Sequence, residues 1–298
     1  MWLLFLLIGL MALSAELLAR GVEKLNMGLG QGMASGVVLG TLTSLPETIV
    51  VITALLEDKG DVALGSAIGG NIVLLTLGIG LVGLVYNFKW KDELRMGGDY
   101  SHELGVISLS TLFLAVVYVY GRLTPLTSLP LFALYGYYLL HRVRGRNESG
   151  KRVSPVSVLE ILGGGILMLI LSPLFVGQLE KLSLSLGTSD TYLAMILTPV
   201  VAELEEGVSA LRLAMRSREG GSSALLSYFG SKIQNITFLL GLVGLISIPV
   251  RGPYLLLTLI SNVLGTLVIL DGKLGKLESF LLSLSYFLLI SFTVHYLP

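Results

Sequence analysis

The sequence contains no cysteine and few charged residues, and each absence excludes classes of protein. Without cysteine, the chain has no disulfide, iron–sulfur cluster or thiolate metal site. Charged residues make up 13% of the chain, whereas an average soluble domain carries about 25%. The 20 basic and 20 acidic residues cancel, so the total charge carries no information about partners. No nucleic-acid partner is expected. The deficit of charge indicates a protein whose solvent is largely not water.

Apolar runs recur from one end of the chain to the other. The sequence is 53% hydrophobic, with a mean hydropathy of +0.83, and a membrane helix needs about 20 apolar residues. Hydropathy and the charged or Pro/Gly breaks predict an all-α polytopic membrane protein, whose first helix is the N-terminal run and not a signal peptide. Ten spans are predicted, near 2–19, 31–56, 61–87, 103–121, 124–141, 155–178, 189–214, 222–248, 252–270 and 277–296.

Lys and Arg are distributed unequally between the two sets of connections. Fifteen lie in or beside the odd-numbered connections, four lie in or beside the even-numbered ones, and Lys232 lies within predicted span 8. Because basic residues accumulate on the cytoplasmic side, the odd connections are expected in the cytoplasm and both termini outside. The lack of a targeting segment fits the plasma membrane of a prokaryote.

Short sequence matches predict an internal repeat. Gly80-Leu-Val-Gly-Leu84 recurs as Gly241-Leu-Val-Gly-Leu245, and Gly69 matches Gly230 at the same spacing. Since five helices is an odd number, the second copy enters the membrane from the opposite side, as in many secondary transporters. We predict inverted five-helix repeats at 1–142 and 155–298, joined by a basic cytoplasmic loop at 143–154.

Four acidic residues lie inside equivalent predicted spans of the two repeats. Glu47 belongs to span 2, whereas Glu203, Glu205 and Glu206 belong to span 7. An ionised carboxylate at the bilayer centre costs roughly 2.5–3.5 kcal/mol on insertion scales, so such residues are rarely without function. The predicted symmetry brings the two groups together at the midplane.

Oxygen-rich surroundings accompany these carboxylates. Pro46 is predicted to interrupt span 2 and to free a backbone carbonyl beside the hydroxyls of Thr43 and Ser44. The opposing wall comes from spans 3 and 8, where small residues permit close helix packing. Ca²⁺ takes 6–8 oxygen ligands in flexible geometry, whereas Zn²⁺ and Cu⁺ favour Cys or His. Neutral oxygens are predicted from Ser66, Asn71, Ser231, Gln234 and Asn235.

The same segments resemble the calcium/cation antiporter superfamily, which includes sodium/calcium and calcium/proton exchangers. Thr43-Ser-Leu-Pro-Glu47 and Asp61-Val-Ala-Leu-Gly-Ser-Ala-Ile-Gly-Gly-Asn-Ile72 are similar to the first repeat motif of that superfamily. Pro199-Val-Val-Ala-Glu-Leu-Glu-Glu206 and Gly230-Ser-Lys-Ile-Gln234 resemble the second motif more weakly. The resemblance implies that Glu47 and Glu206 are the central carboxylates, with Glu203 as the alternative to Glu206.

Three positions depart from the family pattern. Gly70 stands where the family has Ser, Leu74 stands where it has Asn, and Lys232 follows Ser231 inside span 8. An ammonium there is expected to pair with Glu203 or Glu205, or to occupy the place of a coupling cation. We hypothesise that Lys232 replaces one Na⁺ and favours proton coupling, because a buried lysine titrates readily.

The sequence therefore predicts a secondary active cation antiporter that exchanges Ca²⁺ for H⁺ or Na⁺ by alternating access. Its metal-binding carboxylates would be Glu47 and Glu206, and its expected partners are the lipid bilayer and inorganic cations. No resident cofactor is expected. An enzyme is not expected, because the spans carry neither a nucleophile–base pair nor a His-rich metal motif. The alternatives are a cation channel, a non-transporting membrane subunit that keeps the exchanger fold, and an exchanger for another cation.

Overall fold

The computed structural model describes residues 2–29, 42, 44–97, 100–144, 154–250, 252–268 and 270–294. These residues are almost entirely helical, and two strands of two residues each, β1 (Leu94–Arg95) and β2 (Lys273–Leu274), pair antiparallel. In chain order the helices are α1 (Trp2–Leu29), α2 (Leu45–Leu56), α3 (Gly60–Val73), α4 (Ile79–Trp90), α5 (Ser101–Tyr120), α6 (Pro125–Arg144), α7 (Pro155–Leu186), α8 (Asp190–Ala202), α9 (Leu204–Arg216), α10 (Arg218–Gln234), α11 (Leu240–Gly244), α12 (Pro253–Val268) and α13 (Lys276–Val294).

Five stretches of the described residues are long and apolar enough to cross a membrane. They are Trp2–Val22, Gly60–Trp90, Ser101–Tyr120, Pro155–Leu186 and Lys276–Thr293. Three further apolar helices are shorter, namely Leu45–Leu56, Asp190–Ala202 and Pro253–Leu267. The predicted span near 31–56 is described only in its second half, so the first part of that prediction lies outside the described residues. The helices α1 and α7 continue beyond the predicted ends of spans 1 and 6, to Leu29 and Leu186.

Three predicted spans are interrupted rather than continuous. The span predicted near 189–214 is divided at Glu203 into α8 and α9, and α8 also contains Pro199, which cannot donate a helical hydrogen bond. The spans near 61–87 and 222–248 each contain a π-helical segment, Leu74–Gly78 and Asn235–Leu239. In each segment a threonine hydroxyl donates to the carbonyl four residues earlier, Thr76 to Ile72 and Thr237 to Ile233. The two segments therefore lie at equivalent places in the chain.

Small residues let the helices that carry the predicted site pack closely. A Cβ on Gly65 would lie 2.3 Å from the carbonyl oxygen of Thr191, and one on Gly69 would lie 2.4 Å from that of Met195. Larger residues would push α3 away from α8. The long helices α1 and α7 also pack along each other, and a Cβ on Gly164 would lie 2.7 Å from the Ser14 carbonyl oxygen.

Contacts between connections fall into two groups. Connections predicted to be odd-numbered meet one another: β1 pairs with β2, and Arg218 forms an ion pair with Asp92 at 2.9 Å. Connections predicted to be even-numbered also meet one another. The Val250 amide donates to the Gly121 carbonyl at 3.0 Å, and Lys59 pairs with Glu180. Each group therefore gathers connections of a single predicted side.

Candidate ion-binding site

Two helix starts present carboxylates in equivalent positions. Glu47 is the third residue of α2, and Glu206 is the third residue of α9. Pro46 lies in the first turn of α2, where its missing N–H removes no helical hydrogen bond. A negative charge in the first helical turn is also favoured by the helix dipole. Both Glu47 and Glu206 are thus placed where a helix tolerates, and partly stabilises, a carboxylate.

The two helix starts meet, so that three carboxylates converge. Glu47, Glu203 and Glu206 each offer an oxygen, and these oxygens lie within 4.8 Å of one another. Glu47 is 1% exposed and Glu203 is 2% exposed, while Glu206 is partly exposed as a residue but its Oε1 atom is buried. Among the described residues, neither oxygen of Glu47 has a hydrogen-bond partner, and the same holds for Oε2 of Glu203 and Oε1 of Glu206. Buried oxygens without donors are suited to a cation.

One ammonium group lies among these carboxylates. Lys232 is fully buried on α10, and its Nζ donates to Oε1 of Glu203. The same Nζ lies 3.6 Å from Oε1 of Glu47. The amide nitrogen of Asn235 also approaches Glu203 Oε1, at 3.5 Å. The structure therefore pairs Lys232 with Glu203, whereas the sequence left Glu203 and Glu205 as alternatives.

Hydroxyl groups supply neutral oxygens on one side of the site. The Ser44 and Ser231 Oγ atoms lie 3.3 Å apart. Ser66 lies farther along α3, where its hydroxyl contacts that of Thr198 at 2.9 Å. Ser44 directly precedes α2, the helix that carries Glu47, and hydroxyl oxygens are a ligand type that suits hard cations.

An apolar cavity of about 240 Å³ borders Glu203. It is lined by the π-helical segment after α3, the junction of α8 and α9, and the aromatic rings of Tyr228 and Tyr286. Leu74 forms part of this wall, at the position where the family pattern has Asn. Glu203 therefore faces mostly apolar residues on this wall. The negative charge of Glu203 is balanced by Lys232.

Comparison with known proteins identifies the family. A sequence model described as sodium/calcium exchanger protein matches residues 1–144 and 156–294, which is nearly the whole chain. The chain belongs to this family. The inner membrane protein YrbG of Escherichia coli (strain K12) is 26% identical over 254 residues, covering 78% of this chain and 74% of YrbG. Together with the apolar helices, membership in this family makes the protein an integral membrane protein.

Solved structures share the fold. The H⁺/Ca²⁺ exchanger CAX has a TM-score of 0.83 at 20% identity, covering 95% of this chain and 80% of CAX. Native YfkE has a TM-score of 0.80 at 19% identity, covering 97% of this chain and 90% of YfkE. The sodium-calcium exchanger NCX_Mj, soaked with 2.5 mM Na⁺ and 0.1 mM Ca²⁺, has a TM-score of 0.64 at 21% identity and covers 96% of both chains. At these identities the likeness concerns the fold alone.

Two residues predicted as ligands also form hydrogen bonds between helices. The Gln234 carbonyl oxygen accepts from the Tyr135 hydroxyl at 2.7 Å, and its amide donates to Thr48 at 3.3 Å. Asn71 donates to Asn262 at 3.2 Å, toward α12. Both residues were predicted as ion ligands. The oxygen of Gln234 already accepts a hydrogen bond, whereas Oδ1 of Asn71 has no hydrogen-bond partner among the described residues. Thr43 lies outside the described residues.

Sequence reasoning missed the residues that hold the ligand-bearing helices in place. Thr48 and Tyr135 connect α2, α6 and α10 through Gln234. Asn262 extends the contact of Asn71 by donating to Thr111 at 3.1 Å. An asparagine in the apolar helix α12 is a recognisable signal, because polar side chains at membrane depth usually have partners. Thr48 and Tyr135 carry no comparable signal, since both residue types are common in membrane helices.

Proposed function

We propose that this protein is a secondary active antiporter that binds Ca²⁺ between Glu47 and Glu206 and exchanges it for H⁺ or Na⁺. The observation that carries the proposal is the convergence of three buried carboxylates whose oxygens lie within 4.8 Å of one another. Membership in the sodium/calcium exchanger family supports antiport as the class of activity. The fold likeness to the H⁺/Ca²⁺ exchanger CAX and to the sodium-calcium exchanger NCX_Mj supports calcium as the substrate.

The proposal includes ten membrane spans in two inverted repeats. Support comes from the family match in two stretches, 1–144 and 156–294, and from the two equivalent π-helical segments. In the structure, odd-numbered connections contact other odd-numbered connections, and even-numbered connections contact other even-numbered ones. This grouping also agrees with an odd number of spans in each repeat. Together with the basic residues of the odd connections, this arrangement supports an orientation with both termini outside and residues 143–154 in the cytoplasm.

The balance of charge explains how two kinds of cation can alternate. With three ionised carboxylates and one ammonium, the cluster of Glu47, Glu203, Glu206 and Lys232 carries two net negative charges. One Ca²⁺ neutralises the cluster, and so do two protons or two Na⁺ ions. Because both sets of cations use Glu47 and Glu206, their binding is mutually exclusive. Exclusive binding at one site is the condition for obligatory exchange.

Access to the site from each side is proposed to change by movement of α1 and α7. These two helices pack along each other, and glycines bring their backbones close, as at Gly164. Both helices expose many apolar side chains, including Trp2, Leu13, Ile166 and Leu184, as expected of helices that face lipid. The helices around the carboxylates are tied together by Gln234 and Asn71 and would form the stationary part.

Transport of ⁴⁵Ca²⁺ into proteoliposomes tests the proposal. Uptake is driven in separate experiments by an outward H⁺ gradient and an outward Na⁺ gradient. We expect uptake under at least one gradient, and we expect Glu47→Gln and Glu206→Gln to reduce it to the rate of protein-free vesicles, because each removes a charged ligand. Glu57→Gln is the matched control, since Glu57 is exposed at the other end of α2. Full uptake by both Glu47→Gln and Glu206→Gln would contradict the proposed site.

A further inference from the structure

The two halves of the site differ at equivalent positions. Ser44 directly precedes α2, and Glu203 directly precedes α9. The two positions are equivalent, because each lies three residues before the carboxylate in the first turn of its helix. Ser231 lies four residues before the second π-helical segment, as Gly70 lies four before the first. The contact between Ser44 and Ser231 therefore has a counterpart between Glu203 and Gly70. One half contains a pair of hydroxyls, and the other contains a carboxylate facing a residue without a side chain.

Gly70 leaves the space that Glu203 occupies. A Cβ on Gly70 would lie 1.8 Å from Oε1 of Glu203 and 2.9 Å from the amide nitrogen of Asn235. A serine at residue 70, as in the family pattern, is incompatible with the observed position of this carboxylate. The observed position of Glu203 therefore requires glycine at residue 70. The half of the site that contains these two residues carries one more negative charge than the half that contains Ser44 and Ser231.

Lys232 neutralises that additional charge. It is fully buried, it donates to Glu203 Oε1, and it lies 3.6 Å from Glu47 Oε1. We infer that the Lys232 ammonium acts as a tethered cation. Its side chain occupies the cation position in the half that contains Glu203 and Gly70, which is equivalent to the cation position in the other half. Soluble cations, whether one Ca²⁺ or the two monovalent ions that replace it, then bind only in the half formed by Glu47, Glu206, Ser44 and Ser231. This inference rests on the proposed function, because it concerns the ion count of the same site.

The number of bound Na⁺ ions tests the inference without requiring transport. Purified protein in detergent is titrated with ²²Na⁺ in a scintillation proximity assay. Lys232→Met keeps the length of the side chain but removes its charge, so it should bind one more Na⁺ per protein than the native chain. Lys232→Arg and the charge-balanced Lys232→Met/Glu203→Gln should show no gain. Equal Na⁺ counts for Lys232→Met and the native chain would overturn the inference.

A second measurement does not need the single variant Lys232→Met and therefore applies even if that variant does not fold. Glu203→Gln leaves the ammonium with Glu47 alone, so it should weaken ⁴⁵Ca²⁺ binding by about 5–150-fold, the usual range for coupled sites. The double variant Lys232→Met/Glu203→Gln should restore binding to within about threefold of the native value, because the effects of contacting residues are not additive. Equal weakening in both variants would make Glu203 itself a ligand and would contradict the tethered cation.

The matched control is the ion pair of Lys59 with Glu180, whose side chains are 31% and 34% exposed. Lys59→Met and Lys59→Met/Glu180→Gln should change neither the Na⁺ count nor the Ca²⁺ affinity. A native protein that moves no Ca²⁺ under any gradient would refute the proposed function, whereas the Na⁺ counts would still decide the role of Lys232.

Discussion

Replacing Gly70 by alanine should separate Glu203 from Lys232 while leaving the helices in place. The added methyl group would lie 1.8 Å from Glu203 Oε1, which is far inside the van der Waals distance. Oε1 is the end of a flexible side chain, so the overlap is relieved by moving the carboxylate and not the backbone. This movement lengthens the buried hydrogen bond from Lys232 to Glu203, so the substitution weakens the ion pair between these two residues.

The size of this effect follows from two known costs. Overpacking a buried site costs about 1–3 kcal/mol, and losing one partner of a buried ion pair costs about 3–5 kcal/mol. Because the carboxylate is displaced and not deleted, we expect a loss of about 3 kcal/mol in the free energy of unfolding. The assay is the thermal unfolding midpoint of the purified protein in detergent. Gly105→Ala is the control, since a Cβ at residue 105 has no atom within 4 Å.

A compensating variant makes this prediction stricter. In a Glu203→Ser/Lys232→Asn background, both the bulky carboxylate and its counter-charge are removed. Gly70→Ser should then be tolerated, because it recreates the hydroxyl pair that Ser44 and Ser231 form in the other half. If Gly70→Ala leaves the unfolding midpoint equal to that of Gly105→Ala, the steric link between Gly70 and Glu203 is wrong.

Two further predictions concern regions away from the carboxylates. A Cβ on Gly164 would lie 2.7 Å from the Ser14 carbonyl oxygen, whereas a Cβ on Gly165 would meet no atom within 4 Å. Gly164→Val should therefore slow ⁴⁵Ca²⁺ transport without changing the Ca²⁺ affinity. If Gly165→Val slows transport equally, the contact between α1 and α7 does not have this role. The hydrogen bond from Lys59 to Glu180 raises the pKa of Lys59, so this pair stabilises the fold below the ordinary lysine pKa and loses that contribution as pH rises through the raised value. Glu180→Gln should lower the unfolding midpoint at pH 8 and have no effect at strongly alkaline pH, and a pH-independent difference would contradict the assignment.

The sequence predicted the features that depend on local pattern or on symmetry. The deficit of charge and the recurring apolar runs indicated a helical membrane protein, which the family match and the exchanger-like fold confirm. The position of Glu47 directly after Pro46 indicated a helix discontinuity. In the structure α2 begins at Leu45, directly before Pro46, while most of the predicted span before Ser44 lies outside the described residues.

The remaining features depend on which side chains meet, and periodicity does not determine that. Gln234 carries the right chemistry for an ion ligand, but the Tyr135 hydroxyl already donates to its side-chain oxygen. The absence of a side chain at Gly70 was visible in the sequence as a missing ligand. Only the position of Glu203 shows that this absence makes room for a charged group. The π-helical segments were likewise invisible, because their composition is that of an ordinary apolar helix.

Uphill movement of Ca²⁺ is the most direct test of antiport through this site. Proteoliposomes holding equal Ca²⁺ inside and outside are given an outward H⁺ or Na⁺ gradient, and ⁴⁵Ca²⁺ accumulation is measured together with the efflux of the driving ion. The account predicts accumulation above the external concentration under at least one gradient, in fixed proportion to that efflux, and none with Glu47→Gln. Ca²⁺ movement that only follows its own gradient, with no linked efflux, would contradict antiport and indicate a channel.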